Sequence, residues 1–412
     1  MLKQKVILLI PNLDFGGAQK VFYDHSVMLA ESFEVVECVF NLDFGRAYPS
    51  ENRLVSLDVA GGKNIFEKIF FFVLRIYRLR KLLKSERPDL VISHLEGADY
   101  VNILAGGGIK KILVIHGSKL HDQNINNWLG IVRKKILIPI LYERADKIVT
   151  VSEGIEKELV DSFKLSQDKV LAIQNFFSLV DLKKRAILSL PEEDTSLFHG
   201  KTLITSGRLV NQKNHEPLLH VIKYINDIAS EPVRLMILGD GPLFTHLVEV
   251  CKRLSLKYLV RSDEMVVGEE YDIIFMGYQK NPLAYYKFAD LFVFPSAWEG
   301  FPMALGEAMS LTIPVVSANC PTGPLELIEP DWRFKPIIKK YPYWGKNGVL
   351  LMVPQSNQRT DIQMWGDTIL QILDNHELRT QMTLSANQRM MKLDISQVQQ
   401  RWVDLIKGLL SK

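Results

Sequence analysis

Two glutamates in one short segment carry the clearest chemical signal in the sequence. Glu299 and Glu307 lie in Pro-Ser-Ala-Trp-Glu-Gly-Phe-Pro-Met-Ala-Leu-Gly-Glu, directly after the apolar run Leu291-Phe-Val-Phe294. The run predicts a strand, and Pro302 predicts the start of a helix, because proline is favoured in the first helical turn. Glu299 is therefore expected on a loop and Glu307 in the first helical turns, where carboxylates can accept hydrogen bonds from sugar hydroxyls. A purely structural role for Glu307, complementing the helix dipole, stays open.

Two cations, Arg208 and Lys213, follow the apolar run 202–206 in Thr-Ser-Gly-Arg-Leu-Val-Asn-Gln-Lys. An arginine fork donates two hydrogen bonds to phosphate oxygens and a lysine adds a point charge, so the pair suits a leaving diphosphate. From the spacing alone, two solvated surface charges are the simpler interpretation. The later turn Gly239-Asp-Gly241 is explained equally well by turn geometry.

One histidine and one glycine pair also follow apolar runs. His116 comes after the run 111–115 and is predicted at a strand end, although a lone histidine is more often structural. Gly16 and Gly17 follow the run 5–10 and enter a predicted helix, where backbone N–H groups can approach a phosphate or sugar. Ordinary turn chemistry is the simpler explanation of that pair. The spacing does not fit G-x-G-x-x-G, which argues against a nicotinamide dinucleotide site.

These candidate residues follow the strands of a predicted α/β fold. Short apolar runs alternate with stretches of helical spacing, which predicts parallel strands covered by helices. One series of runs occupies 5–10, 34–40, 89–93, 111–115 and 146–151, and a second occupies 202–206, 233–238, 272–276, 290–294 and 313–317. Two Rossmann-like parallel-sheet domains are therefore expected, facing a central cleft at the carboxyl ends of their strands.

The domain boundary is predicted within residues 177–200, which lose the periodicity and collect proline, polar and acidic residues. The first domain would span 1–180 and the second 200–394. Apolar residues at helical spacing predict a C-terminal helix over 395–412 that packs back on the first domain.

Composition excludes several classes of protein. The formal net charge of +3 over 412 residues gives no global reason to expect nucleic acid as a partner. Three widely spaced cysteines, Cys38, Cys251 and Cys320, favour a reducing compartment over a disulfide framework or a thiolate metal site. The first apolar run is shorter than a signal-peptide core and ends at Pro11, and no run approaches the roughly 20 apolar residues of a spanning helix. A soluble or peripheral protein is expected.

Taken in order, these segments resemble glycosyltransferase family 4, whose members are retaining, nucleotide-sugar-dependent enzymes of the two-domain GT-B fold. The segments that carry the resemblance are Gly16-Gly17, 145–152, Asn175, 207–213, 239–242, Gly277 with Asn281-Pro282, and 299–307. Cys320-Pro-Thr-Gly-Pro324 and Gly348 to Pro354 resemble members that build capsular, O-antigen or protein-linked glycans on lipid carriers.

The resemblance implies a role for each candidate residue. Arg208 and Lys213 would hold the donor diphosphate in place of a metal, with no other cofactor, while Glu307 would bind the ribose and Glu299 the transferred sugar. His116 would lie near the sugar and the leaving phosphate. Further binding positions implied for the donor and acceptor are Gly16, Gly17, Gly207, Gly277, Tyr278, Gly300, Phe301, Pro302, Met303, Ala304 and Leu305. Gly16 and Gly17 would border the acceptor and Gly277 with Tyr278 the base of the donor nucleotide, which the family's usage suggests is uridine diphosphate.

Other functions remain as alternatives. A glycosidase pair would need Glu299 and Glu307 about 5–5.5 Å or 6.5–9.5 Å apart, and the phosphate-binding residues would then be idle. A catalytically silent nucleotide-sugar-binding or glycan-binding relative would not need the full residue set. A sugar-nucleotide epimerase or a phosphorylase is a third possibility on this architecture.

Three regions depart from the family pattern or extend it. Gln19 and Lys20 replace the usual acidic position after the glycine pair, and the aromatic insert 329–347 is either a lid or a packing element.

The third region, residues 63–87, carries eight basic residues against two glutamates and predicts either a buried helix with a basic rim or an interfacial helix. Its predicted core face is Phe66, Phe70, Val73 and Tyr77, and its predicted interfacial residues are Phe71, Phe72, Leu79, Leu82, Lys68 and Arg75. The segment Arg133 to Leu141 repeats the pattern of cations beside apolar residues. The resulting hypothesis is a cytoplasmic protein that docks on the inner membrane face to reach a lipid-linked acceptor.

Overall fold

The computed structural model describes residues 3–14, 16–42, 48–121, 128–261, 270–335 and 337–411. Contacts within the chain divide it into two compact units. Unit 1 is Met1–Asn175 with Ile395–Lys412, and unit 2 is Phe176–Asp394.

Unit 1 contains a sheet of seven parallel strands among its described residues, in the order β3-β2-β1-β4-β5-β6-β7. The strands are β1 Lys5–Ile10, β2 Glu34–Val39, β3 Arg53–Ser56, β4 Leu90–His94, β5 Lys110–Ile115, β6 Lys147–Thr150 and β7 Val170–Ala172. The five residues from Val6 to Ile10 are all inaccessible to solvent, which explains a nearly continuous apolar run: helices cover both faces of the sheet.

Helices surround this sheet. They are α1 Gly17–Ala30, α2 Ile65–Glu86, α3 Glu96–Ala105, α4 Trp128–Val132, α5 Ile138–Tyr142, α6 Glu153–Asp161 and the C-terminal α16 Ile395–Leu410, with a π-helical turn Arg133–Leu137 between α4 and α5. The indole of Trp402 on α16 is buried edge-on against His25 of α1, with ring centroids 4.5 Å apart. The C-terminal helix therefore completes the core of unit 1.

The orientation of α2 overturns the predicted faces of this helix. Leu79 and Leu83 are buried, and Phe71 and Phe72 pack against the core. The residues predicted to form the core face are instead exposed; these are Phe66, Phe70, Val73 and Tyr77.

The reason for this reversal is that apolar residues at helical spacing occupy both faces of α2, so spacing alone does not select the buried one. Arg75 and Arg78 help to fix the rotation. The Arg75 guanidinium donates to Ala60 O at 2.7 Å, and that of Arg78 donates to Asp58 O at 2.9 Å. Arg75, predicted to face lipid, is thus bound to the protein.

Unit 2 contains eight described strands in the order β10-β11-β9-β8-β12-β13-β15-β14, parallel except for the last pair. The strands are β8 Lys201–Ser206, β9 Val233–Leu238, β10 Tyr258–Val260, β11 Ile273–Gly277, β12 Leu291–Phe294, β13 Val315–Ala318, β14 Tyr343–Gly345 and β15 Gly348–Leu351. Its helices are α7 Leu179–Ala186, α8 Glu192–Thr195, α9 Glu216–Ile228, α10 Phe244–Arg253, α11 Leu283–Tyr286, α12 Met303–Ser310, α13 Pro324–Ile328, α14 Arg359–Leu373 and α15 His376–Met391. The two-domain α/β fold and all ten predicted strands are confirmed.

The predicted boundary segment 177–200 contains α7 and α8 rather than an irregular linker. Asp194, one of the acidic residues of this segment, is fully buried and accepts hydrogen bonds from the Arg261 guanidinium at 2.7 Å and the Tyr285 hydroxyl at 2.5 Å. Its partners lie 67 and 91 residues away along the chain, so local composition could not identify them.

The aromatic insert 329–347 is partly a packing element. Buried Glu329 accepts hydrogen bonds from Lys335 Nζ at 2.6 Å and Tyr343 OH at 3.0 Å, and β14 pairs antiparallel with β15. Phe334 and Ile337 are exposed.

Among the helices described, none is both long and apolar enough to cross a bilayer.

Candidate functional site

The strand order of unit 2 reverses between β8 and β12, because the chain proceeds outward from β8 through β9 on one side and from β12 through β13 on the other. Open parallel sheets bind ligands at the carboxyl ends of strands beside such a reversal. Lys213 follows β8 and Glu299 follows β12, and Lys213 Nζ lies 2.6 Å from Glu299 Oε1. The structure thus brings together two of the predicted site residues, which are 86 positions apart.

Backbone contacts hold Glu299, which is only 7% exposed, in this position. Its N–H donates to Pro321 O at 3.2 Å, and the Thr322 hydroxyl donates to the Glu299 carbonyl at 2.7 Å. Gly323 has φ +95°, and a Cβ there would lie 2.5 Å from Pro302 Cδ. The loops after β12 and β13 therefore fix each other.

Lys213 ends a 3₁₀ turn, Asn211–Lys213, and is half-buried. Its ammonium lies 5.3 Å from the centroid of the Phe294 ring, and its stem crosses Gly207, where a Cβ would approach it to 3.2 Å. Gly207 also has φ +155°, which disfavours any other residue. Since an ammonium has three donors, the hydrogen bond to Glu299 leaves capacity for a phosphate oxygen.

Arg208 lies on the same loop with an exposed side chain. Within the described ranges, its guanidinium makes no hydrogen bond or ion pair with the protein. The flanking backbone is fixed, since Leu209 N donates to Asp240 O at 3.0 Å. Arg208 makes no hydrogen bond or ion pair with Lys213 or Glu299. Its guanidinium nevertheless carries five N–H donors on the same loop as Lys213, and these remain available for a ligand.

Glu307 lies in α12, which begins at Met303, one position after the predicted start at Pro302. The Tyr286 phenol is close to Glu307, since burial first and then the negative charge of Glu307 raise the pKa of this phenol. The phenol oxygen also lies 2.5 Å from Ser206 Oγ, at the end of β8. Glu307 is therefore close to the same strand end as Lys213. The predicted binding segment before and within α12 is largely buried; Gly300, Phe301, Pro302 and Leu305 are buried, and Met303 and Ala304 are half-buried.

Gly277 ends β11 and Tyr278 follows it, on the same edge of the sheet. Gly277 has φ +65°, and its carbonyl accepts from Gly239 N at 2.8 Å. Nothing lies within 4 Å of a Cβ placed on Gly277, and Tyr278 is exposed. This end of the edge therefore presents an exposed aromatic side chain beside an open glycine.

In unit 1, His116 follows β5 and His94 ends β4. His94 Nδ1 lies 2.9 Å from His116 Nε2, and the rings stack with centroids 5.1 Å apart. Burial first, and then the positive charge of Lys119, lower the pKa of His116 to about 3. Sequence reasoning selected His116 and missed His94, although Val91-Ile-Ser-His94 carries the same signal of a histidine at a strand end.

An ionic cluster that sequence reasoning also missed holds the segment after His116. Burial opposes ionisation of Glu96, but the Lys119 ammonium at 3.1 Å and the Arg133 guanidinium lower its pKa to about 2. Glu158 accepts from Lys119 N at 2.6 Å and from the Ser118 hydroxyl at 2.5 Å.

Gly16 and Gly17 lie at the start of α1, next to Lys20, whose N–H donates to Gly16 O. A Cβ on Gly17 would meet nothing within 4 Å, and one on Gly16 would meet the flexible side chain of Gln19. Packing within the chain therefore does not require glycine at either position, and the turn has room for a ligand.

Known glycosyltransferase families match both halves of the chain. A family described as "Glycosyl transferases group 1" matches residues 200–375, and one described as "Glycosyltransferase Family 4" matches residues 15–180. An uncharacterized glycosyltransferase from Methanocaldococcus jannaschii is 28% identical over 358 residues, covering 82% of this chain and 84% of that protein.

A second relative has a named reaction. The N-acetylgalactosamine-N,N'-diacetylbacillosaminyl-diphospho-undecaprenol 4-alpha-N-acetylgalactosaminyltransferase of Campylobacter jejuni is 27% identical over 344 residues, covering 80% of this chain and 84% of that enzyme. The solved structure of Anabaena HepE in complex with UDP and glucose superposes with a TM-score of 0.72 at 14% identity, covering 98% of this chain and 100% of the other. With both domains matched by these families, the chain belongs to glycosyltransferase family 4.

Proposed function

We propose that this glycosyltransferase moves a hexose or N-acetylhexosamine from a UDP-linked donor, with retention of configuration, to a lipid-linked or glycan acceptor in surface polysaccharide or glycoconjugate synthesis. The observation that carries the proposal is the Lys213–Glu299 pair at the strand-order reversal of unit 2, beside the unpaired Arg208. An ammonium and a guanidinium on one loop match a diphosphate.

In the proposed reaction, the acceptor oxygen attacks the anomeric carbon from the side of the leaving group. The bond from that carbon to the diphosphate oxygen breaks, and the leaving phosphate takes the acceptor's proton. Arg208 and Lys213 stabilise the charge that develops on the diphosphate, a role that in other enzymes a metal performs. Glu299, oriented by Lys213, accepts hydrogen bonds from hydroxyls of the transferred sugar.

The same residues argue against the glycosidase alternative. A glycosidase acid has to donate a proton, whereas Glu299 accepts a 2.6 Å hydrogen bond from an ammonium.

The remaining site residues would bind the donor nucleotide: Glu307 binds the ribose, while Gly277 and Tyr278 contact the base. UDP is supported by the complex of HepE and a lipid-linked acceptor by the name of the Campylobacter enzyme, each a property of that relative.

The first experiment measures nucleotide release from UDP-, GDP- and dTDP-sugars, with and without a membrane lipid extract. Lipid-stimulated release from one donor, lost in Glu307→Ala and unaffected by EDTA, is expected. Turnover abolished by EDTA would contradict the metal-independent mechanism. Failure of every nucleotide to bind would overturn the proposal in favour of a glycan-binding relative.

The lipid-linked acceptor requires a membrane contact, which we assign to unit 1 on the cytoplasmic face of the inner membrane. The exposed stripe of α2 is Ile65, Phe66, Ile69, Phe70, Val73 and Tyr77, and α5 with the preceding turns exposes Ile131, Val132, Ile136, Leu137 and Ile140. Helices α2 and α5 both pack against α3. Apolar groups beside cations suit an interface with anionic lipid.

The charges of α2 complement such a surface. Lys81 and Lys84 are exposed and, among the described residues, have no ion-pair partner. The two acidic residues of the helix are engaged, because Glu67 accepts from Lys63 N and Asn64, and Glu86 pairs with Lys5 and Arg53. The free charge of the helix surface is therefore positive.

Cosedimentation with phosphatidylglycerol vesicles tests this contact. Phe70→Ser is expected to weaken binding about 10-fold, since burying a phenylalanine contributes about 1.5–3 kcal/mol when complete. Leu384→Ser on α15 is the matched control, because Leu384 and Phe70 are both 63% exposed. Equal effects of the two variants, or no binding at low salt, would contradict the assignment.

A further inference from the structure

Behind His116 lies a buried stack of rings that the proposed mechanism does not use. His94 has no solvent exposure, and His25 of α1 meets it edge-on with centroids 5.2 Å apart. Phe22 meets the His94 ring at 5.3 Å and an interplanar angle of 84°. His94 is thus held in place from α1 while its Nδ1 contacts His116 Nε2.

The hydrogen bond between these rings contains a single hydrogen, and the surroundings decide which ring supplies it. His94 Nε2 is buried and has no hydrogen-bond partner within the described structure. If His116 donated, His94 would carry its hydrogen on Nε2 as a buried, unpaired N–H, which proteins rarely tolerate. If His94 donates from Nδ1, only a lone pair is left unpaired.

The charged groups around the rings favour neutral imidazoles. Burial first, and then the charges of neighbouring histidines, lower the pKa of His94, and the pKa of His25 falls to about 3. On α3, Glu96 is engaged with Lys119 and Arg133. Asp99, whose pKa burial raises to about 8, accepts from Ser93 and Tyr142. Lys119, from the segment after β5, opposes protonation of His116.

We infer that His94 is a positioning residue that donates from Nδ1 to His116 Nε2, and thereby makes His116 present an N–H donor at Nδ1 to an oxygen of its ligand. Among the described residues, His116 has no other hydrogen bond, so its Nδ1 is unused by the protein. The identity of that oxygen rests on the proposed function, in which it belongs to the transferred sugar or the donor phosphate. The placement of the hydrogen on Nδ1 of both rings does not depend on the proposed function.

Nitrogen-15 NMR of the histidine-labelled, wild-type chain at pH 7 tests the placement directly, because imidazole nitrogens with and without hydrogen resonate far apart. His116→Gln and His94→Asn assign the two rings. Hydrogen on Nδ1 and a bare Nε2 are expected for both. Hydrogen on Nε2 of His116, or a doubly protonated ring, would overturn the inference whether or not transfer is observed.

Kinetics separate positioning from packing. His94→Phe keeps the ring and removes the donor, whereas His94→Asn keeps an amide donor near the position of Nδ1. A fall in kcat of about 10-fold in His94→Phe, partly restored in His94→Asn, is expected for loss of one hydrogen bond. Equal rates in the two folded variants would contradict a positioning role. The expected NMR pattern without any transfer would instead count against the proposed function alone.

Discussion

The carboxyl ends of the two parallel sheets differ in the kind of polar group they present. Both sheets reverse strand order, between β1 and β4 in unit 1 and between β8 and β12 in unit 2. Unit 2 places Arg208, Lys213 and Glu299 after its strands, whereas unit 1 places His94 and His116 there, in surroundings that disfavour their protonation.

The strand edge thus supplies position, while the residues at and after the end of each strand supply the chemistry. The fixed positive charges of Arg208 and Lys213 suit a diphosphate. The neutral imidazoles of unit 1 can donate hydrogen bonds to hydroxyls and phosphate oxygens without repelling a nearby cation. Unit 1 keeps free cations such as Lys81 and Lys84 on the outer helix α2 instead.

Removing a cation of unit 2 is expected to have the largest effect. Arg208→Ala should lower kcat about 10²–10³-fold, because it removes donors from the charge that develops on the leaving diphosphate. Single-turnover kinetics with the active donor measure this loss. Arg253→Ala, which changes another exposed arginine of unit 2, is the control, and an equal loss there would remove the distinction drawn for the strand edge.

Glu307→Gln tests donor binding at the same edge. A charge-assisted hydrogen bond contributes about 1.5–3 kcal/mol, so the KM for the donor should rise about 10–100-fold while kcat changes little. Calorimetric titration with UDP should show the same loss, and Glu249→Gln on α10 should show none. A fall in kcat alone would mean that Glu307 acts in the transition state and not in binding.

Histidines with a lowered pKa should make both units sensitive to acid, His25, His94 and His116 in unit 1 and His215 and His220 in unit 2. The pKa values of His25 and His116 lie at about 3, and that of His94 is also lowered, whereas in unit 2 His215 has a pKa of about 3. The unfolded histidines bind protons near pH 6.5, so their contribution to stability is complete above that pH and falls as the pH drops toward 3. In unit 1, protonation of Asp99, whose pKa burial raises to about 8, opposes this loss.

A histidine whose pKa is about 3 in the folded state destabilises its unit by about 2 kcal/mol at pH 5. Hydrogen exchange at pH 7 and pH 5, corrected for intrinsic rates, measures the stability of each unit separately. His25→Leu should reduce the acid sensitivity of unit 1, and His199→Leu, at an exposed position, should not. An unchanged acid sensitivity of unit 1 in His25→Leu would contradict this role of the buried histidine.

The smallest expected effect concerns the outer cations. Lys84→Ala should weaken vesicle binding about 5-fold, since a lysine near an anionic surface contributes about 1 kcal/mol. The difference from wild type should vanish in 1 M salt because screening is then nearly complete. Lys252→Ala in unit 2 serves as the control, and the same loss there would show that general charge, not α2, drives binding.

Strands and site residues differed in how well the sequence predicted them. Long apolar runs fixed ten strands, because burial on both faces imposes continuous hydrophobicity. Five strands of three or four residues were not predicted, such as β14 Tyr343–Gly345, which depends on pairing with β15. Arg208, Lys213, Glu299 and His116 were predicted as site residues from their place after strands, and the structure confirms that place. His94, with the same signal, and the cluster of Glu96 with Lys119 were missed.

The two-domain α/β class and the positions of residues after the strands could be predicted from the sequence, since hydrophobic periodicity and chain order are local properties. Tertiary structure alone decided which pairs meet and which faces are buried. The 2.6 Å contact of Lys213 with Glu299 depends on β8 lying beside β12. The exposed stripe of α2 and the buried carboxylate of Asp194 depend on partners distant along the chain, and no local pattern encodes a distant partner.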